Sequence, residues 1–208
     1  PRPIRLPFSV PSLLAAGGEL KNTFCLARGA YAFVSPHIGD MASEAAYDAF
    51  VSLVAHLEGL FGITPEAIAY DPHPAYLTGQ YVGKRQLPHI PVQHHHAHAA
   101  AVMAEHGLDG PVLALVFDGT GYGEDAKLWG GEFLLARYTG FQRLAHFAYR
   151  PLPGGDQAVR QPWRLAAWVW QEVFEDGDVL ATAPFPEGWR MLMQAVRSGL
   201  AAPLSSSV

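Results

Sequence analysis

The sequence predicts an α/β protein built as two lobes. Three observations carry this. Ala46, Phe50, Leu53, Val54, Leu57 and Phe61 recur at helical spacing and form one apolar stripe. Short apolar runs bounded by Gly and Pro read as strands. The layout strand, glycine-rich turn, strand, strand, helix occurs twice, once from Leu13 and again from Val112. The repeat is one of pattern only, without identity between the halves. The chain has 208 residues, half of them hydrophobic, which suffices for one substantial domain or two small lobes. The division expected is a linker over 1–11, a first lobe over 12–109 and the front part of a second lobe over 110–208.

In chain order, Pro1, Pro3, Pro7 and Pro11 mark an extended linker or edge segment. Residues 13–16 read as a strand, Gly17 and Gly18 as a turn, and 20–27 as the return strand of a hairpin. Residues 30–34 read as a third strand. The stripe places a helix over 43–61, stopped by Gly62. A short strand over 67–70, a helix over 75–82 and a strand over 87–92 follow. A third helix begins at the histidines and runs to Glu105 and His106. After the break at 107–111, the apolar run 112–117 reads as a buried strand. Residues 128–138 and 141–149 are the next strands. The loop 151–156 ends in Asp156 as a helix N-cap. A helix is expected over 158–174 despite Pro162, a loop over 176–186 and a helix over 187–200.

Composition excludes several classes. The net charge is -5 and no basic tract stands out, which argues against a nucleic-acid surface. The single cysteine, Cys25, rules out an internal disulfide and fits a reducing, cytoplasmic compartment. No apolar run reaches the roughly 18 residues of a membrane span. The first residues lack an initiator Met and the last ones look cut, as in a piece of a longer chain.

The stretch VQHHHAH at 92–98 carries the strongest chemical signal. Four of the ten histidines fall here. His94 and His98 are four apart, so both imidazoles share one helix face and can reach one metal ion. His95 and His96 point to other faces. Zinc or iron suits imidazole ligands. Spacing alone leaves metal binding and an ordinary solvated helix equally open.

A second signal follows the apolar strand at 112–117. Asp118 can bind a metal directly or through water. Gly119, Thr120, Gly121 and Gly123 can present backbone N–H groups to phosphate oxygens. Gly17 and Gly18 with Lys21 are the weaker counterpart in the first half, where Lys21 can pair with a phosphate. Each is commonly just a turn or a solvated charge. Two such hairpins opening similar units suggest two lobes that clasp a nucleotide. Arg160 and Arg164, at helical spacing, can meet an anion or form surface or inter-lobe ion pairs. His37 and Asp40 can line a cleft or shape a loop. Cys25, inside an apolar strand, reads as a buried small residue.

The motifs LKNTFCL at 20–26, HIGD at 37–40, VQHHHAH at 92–98, FDGTGYG at 117–123, WGGEF at 129–133 and LPGGD at 152–156 together resemble the C-terminal domain of the HypF family. That family comprises carbamoyltransferases that mature [NiFe]-hydrogenases. The resemblance runs over nearly the whole chain. It implies the actin/Hsp70/sugar-kinase-like, Kae1-like two-lobed fold, with the second lobe incomplete. It implies that carbamoyl phosphate and ATP give carbamoyl-adenylate in a preceding YrdC-like domain. The carbamoyl group then passes to the C-terminal cysteine of HypE, and dehydration yields the cyanide precursor. His94 and His98 match the family's metal-ligand pair, with Asp118 as the third ligand. The implied cofactors are a divalent metal ion, iron or zinc, or magnesium with the nucleotide, and ATP or carbamoyl-adenylate.

The resemblance also implies that the piece alone is inactive, since no zinc-finger or YrdC-like segment is present. Competing readings are a related O-carbamoyltransferase, a tRNA threonylcarbamoyltransferase, and a non-catalytic metal- or nucleotide-binding fragment. The acidic charge disfavours tRNA, and the LKNTFCL run favours HypF over the small-molecule enzymes.

Overall fold

A computed structural model describes residues 2–174, 184–200 and 202–207. The chain falls into two compact units, Pro1–Val112 with Leu135–Gln142, and Leu113–Leu134 with Arg143–Val208. The segment Leu135–Gln142 thus belongs to the first unit, although a linear division puts it in the second lobe. In that unit Tyr138 meets Phe8 edge to face at 4.7 Å and donates its hydroxyl to Leu108 O at 2.9 Å.

The first unit is built on a four-stranded sheet. Its strands are β1 (Ile4–Ala15), β2 (Cys25–Val34), β3 (Ala67–Tyr70) and β4 (His89–Pro91), in the order β2-β1-β3-β4. β1 pairs antiparallel with β2 and parallel with β3, and β3 pairs parallel with β4. The expected linker over 1–11 is corrected by this pairing, since the strand begins at Ile4. The prolines mark its irregularities instead. Register shifts fall between Arg5 and Val10 and between Val10 and Leu13, the intervals that hold Pro7 and Pro11, which cannot donate to the ladder. The separate strands expected over 20–27 and 30–34 are one strand, β2. Gly29 at φ 59 absorbs the irregularity opposite Val10 without ending the strand.

Helix α1 (Glu44–Phe61) buries Phe50, Val54 and Leu57, three positions of the apolar stripe. Ser43 caps it by accepting the Ala46 N–H at 3.2 Å. Gly62 ends it in the left-handed region at φ 59, sending its N–H back to Glu58 and Gly59 carbonyls. Phe50 meets Phe24 and Tyr81 edge to face at 5.7 and 5.0 Å, and α1 and α2 (Leu77–Lys84) thereby close over the sheet. Each such buried side chain contributes about 1.5–3 kcal/mol. Helix α3 (His94–Glu105) turns His95, Ala99 and Met103 inward.

The second unit holds most of a five-stranded sheet, β5 (Val112–Tyr122), β6 (Leu128–Arg137), β7 (Gly140–His146), β8 (Arg150–Pro151) and β9 (Leu204–Ser205). The order is β5-β6-β9-β8, with β7 paired to β6. The run 112–117 is not the doubly buried strand expected. Leu113, Leu115 and Phe117 are exposed and alternate with inward residues, the pattern of a sheet with one open face among the described residues. Nor does the strand end at Phe117. It runs on to Tyr122, and the turn is made at 123–127, where Gly123 N–H bonds Lys127 O at 2.9 Å.

The helix expected over 158–174 is two helices, α4 (Asp156–Arg160) and α5 (Trp163–Val173). Pro162 lacks an N–H and forces Gln161 out of the helical region, to φ -132 and ψ 70. Asp156 opens α4, and the cap position belongs to Gly155 at φ 53, where no side chain caps. Of the loop expected over 176–186, residues 176–183 lie outside the described residues. Helix α6 (Trp189–Arg197) buries Trp189 and Met193 against α5.

Candidate functional site

The parallel pairing decides which residues meet. Ala15, Ala69 and Ile90 lie side by side, so the chain leaves β1, β3 and β4 at one edge of the sheet. There it continues as Gly17 and Gly18 after β1, as Asp71 after β3, and as Gln93 and His94 after β4. The carboxyl ends of parallel strands are where α/β sheets hold ligands. A cavity of about 340 Å3 opens at this edge, and Gly18, Cys25, Asp71, His94 and His98 are among its walls.

Helix α3 sets the histidines. Gln93 caps it, its Oε1 accepting the His96 N–H at 2.9 Å. Its Nε2 faces His95 Nδ1 at 3.3 Å, and His95 is fully buried. His96 Nε2 donates to Arg137 O at 2.7 Å. These two histidines are engaged away from the cavity, as the helical spacing predicts. His94 and His98 face each other with their Nε2 atoms 3.2 Å apart. Two imidazole nitrogens bound to one zinc ion at about 2.0–2.1 Å and a tetrahedral angle stand about 3.3–3.4 Å apart. The observed separation is close to that spacing.

Asp71, only 8 % exposed in its side chain, stands 2.6 Å from His94 Nδ1 through Oδ2. Its Oδ1 accepts the His73 N–H at 3.0 Å. Asp71 was not among the residues singled out from the sequence, where it reads as the loop that follows β3.

Lys21 is exposed and stands in the left-handed region at φ 50. Asp40 Oδ1 accepts its N–H at 3.1 Å, so Asp40 shapes this loop. Buried Asn22 pins the same loop, donating to Ala16 O at 3.2 Å and Gly18 O at 2.6 Å. Glu19 ties it to the start of α2 by accepting the Leu77 N–H at 2.9 Å. Burial raises the Glu19 carboxyl above its usual range, and the charge of Asp40 adds to the rise. His37 is exposed. Cys25 lines the cavity, and burial pushes its thiol up to about 11. It is a small wall residue and not a thiolate.

In the second unit, Asp118 Oδ1 accepts the Gly119 N–H at 2.7 Å. Asp118, Gly119, Thr120 and Gly121 lie within β5, and Gly123 opens the turn. Gly119 O accepts the Ser207 hydroxyl. The stretch is therefore an extended strand end and a tight turn, where a glycine loop was expected. Gly123 is required by packing, since a Cβ there would meet the Trp129 indole and stand 2.7 Å from Asp125 Oδ1. Arg164 braces its neighbours, donating to Gln161 Oε1 at 2.8 Å, and Arg160 is exposed. No helix of the described residues is long and apolar enough to cross a membrane.

Comparison with known proteins gives a consistent family. Residues 9–105 match a family profile described as the HypF Kae1-like domain. Residues 114–208 match one described as Carbamoyltransferase, Kae1-like Domain, second subdomain. The chain is 43% identical over 212 residues to Carbamoyltransferase HypF2 of Cupriavidus necator, covering 100% of this chain and 26% of that protein. It is 44% identical over 179 residues to Carbamoyltransferase HypF of Synechocystis, covering 85% of this chain and 23% of that protein. Among solved structures, full-length HypF in a phosphate- and nucleotide-bound form superposes with a TM-score of 0.88 at 39% identity, covering 100% of this chain and 28% of that one. HypF of T. kodakarensis gives 0.83 at 32% identity, covering 100% and 30%. The chain thus spans about a quarter of the length of these two curated relatives.

Proposed function

The chain belongs to the HypF family, and from that premise we propose that it forms part of the site that transfers a carbamoyl group from carbamoyl-adenylate to the C-terminal cysteine of HypE. Its fold is the α/β Kae1-like fold, of the actin, Hsp70 and sugar-kinase type. The relatives are carbamoyltransferases by name, which supports the reaction class.

His94 and His98 are the ligands of a divalent ion in this proposal, with Asp118 as the third. The observation that carries it is the 3.2 Å approach of the two Nε2 atoms, the spacing one ion needs. A metal there supplies Lewis acidity and fixed positive charge for phosphate oxygens. Imidazole donors favour zinc or iron over magnesium. Lys21, Gly119, Thr120, Gly121 and Gly123 are the groups assigned to phosphate. The exposed ammonium of Lys21 is suited to that role as a point charge.

The transfer itself is acyl substitution. The HypE thiolate attacks the carbamoyl carbon and a C–S bond forms. The C–O bond to the adenylate phosphate breaks, and AMP leaves with the electron pair. The thiol proton passes to solvent before attack. Carbamoyl phosphate and ATP enter upstream, in the YrdC-like part of the parent protein.

The test uses the full parent protein with HypE, carbamoyl phosphate and ATP. The wild type should add one carbamoyl group to the HypE cysteine, read by intact mass. The His94→Ala/His98→Ala variant should still release pyrophosphate while making the adenylate, yet leave HypE unmodified. HypE carbamoylated at the wild-type rate by that variant would refute the assignment.

A further inference from the structure

We infer that Asp71 is a positioning residue that fixes the tautomer of His94, holding hydrogen on Nδ1 so that the Nε2 lone pair is turned to the ion. The inference rests on the metal-site reading above and adds a residue to it.

Two facts of geometry support it. Asp71 Oδ2 lies 2.6 Å from His94 Nδ1, a charge-assisted distance. An ionised carboxylate only accepts hydrogen bonds, so the hydrogen in this contact is on the imidazole nitrogen. With Nδ1 protonated in neutral imidazole, Nε2 carries the lone pair. That same Nε2 faces His98 Nε2 at 3.2 Å. Metal-bound histidines are commonly held in this way by a carboxylate on the far ring nitrogen.

The two oxygens of Asp71 have separate duties. Oδ1 accepts the backbone N–H of His73 at 3.0 Å and shapes the turn after β3. Oδ2 serves His94. The backbone keeps the carboxylate in place, since Tyr70 pairs with Pro91 and Val92 N–H bonds Tyr70 O at 2.9 Å. Asp71 and His94 thus follow adjacent parallel strands at the same edge of the sheet.

This division makes Asp71→Asn more informative than Asp71→Ala. The asparagine is isosteric and its Oδ1 can still accept from His73. Its other arm is then an NH2 group that points a donor at His94 Nδ1. The imidazole must answer with a lone pair on Nδ1, which moves its hydrogen to Nε2, the ligand atom. A residue that merely shaped the turn would tolerate this exchange. A residue that sets the tautomer would not.

The experiment has two arms, both on the full chain. Histidine 15N NMR without metal reads the tautomer of His94, its signals assigned with His94→Ala. Titration with Zn2+ alone reads affinity in the wild type, Asp71→Asn and His94→Ala/His98→Ala. The expected result is Nδ1–H in the wild type and Nε2–H in Asp71→Asn, with Zn2+ affinity lowered about 10–100-fold. Wild-type His94 with hydrogen on Nε2 overturns the inference, whatever the variant's folding. So does an Asp71→Asn chain that keeps Nδ1–H and wild-type affinity. If the wild type binds Zn2+ no better than the double histidine variant, the metal reading fails, and the tautomer arm still decides the role of Asp71.

Discussion

Glu132, fully buried on β6, accepts the Nε–H of Arg143 at 2.6 Å. It also takes the Ser206 hydroxyl and lies 3.3 Å from the Gly130 N–H. The Arg143 guanidinium stacks 3.8 Å from the Trp129 ring centre. A carboxylate removed from water is tolerated only because these donors surround it. Arg143→Met should therefore cost about 3–5 kcal/mol by leaving an uncompensated buried charge. The double variant Arg143→Met/Glu132→Gln should recover part of that loss. Urea denaturation of the four chains checks the coupling, and additive losses would show the pair to be independent.

Beside this pair, two glycines admit the last described segment. A Cβ on Gly130 would stand 2.5 Å from Ser207 Cα and 2.7 Å from Asp118 O. One on Gly131 would strike the Phe147 ring and stand 2.8 Å from Ser206 O. Gly130→Ala should cost at least about 1–3 kcal/mol, because the obstacle is backbone. Gly59, on the exposed side of α1, has nothing within 4 Å of such a Cβ. Gly59→Ala should stabilise by about 0.5–1 kcal/mol. Thermal melts of both variants should move in opposite directions.

How much of this was legible in the sequence differs by element. Ser43, the apolar stripe and Gly62 define α1 locally, because caps and period act within one helix. The His94 and His98 pair was legible for the same reason. Pro162 was a local signal too, and it outweighs the single helix expected over 158–174. The prolines of β1 misled in the other direction, since they fall where the register with β2 shifts, before the stretch Leu13–Ala15 that pairs with β3. Asp71 was beyond reach. It lies 23 positions before His94, and only the parallel pairing of β3 with β4 brings the two together. The open face of β5 was also illegible, since Leu113, Leu115 and Phe117 are as apolar as any core residues.

Cys25 makes stability depend on pH in the alkaline range. Burial raises its pKa from the ordinary value of 9.0 to about 11, partly offset by a backbone hydrogen bond from Phe33. The folded chain therefore holds the thiol proton longer than the unfolded chain does. The contribution is fully present below pH 9, and is lost as pH rises from about 9 to about 11. It amounts to about 2–3 kcal/mol. Denaturation midpoints at pH 8 and 10.5 should separate in the wild type, and Cys25→Ala should remove this part of the slope. Identical slopes in the two chains would show the thiol to be unperturbed.

Lys21 occupies a backbone conformation that costs a side-chain-bearing residue about 1–3 kcal/mol. Lys21→Gly should therefore raise the melting temperature. If the ammonium serves phosphate, the same change should lower carbamoyl transfer by the parent protein. Opposed effects on stability and activity distinguish a retained functional charge from a loop residue. Unchanged transfer would remove Lys21 from the site.

Metal content separates a two-histidine metal site from a pair of solvated histidines. The full chain and His94→Ala/His98→Ala would be purified alike, loaded with zinc or iron, desalted and assayed by elemental analysis. About one ion should be retained per wild-type chain and none in the variant. Equal metal in the two chains, or none in the wild type, would contradict a two-histidine site.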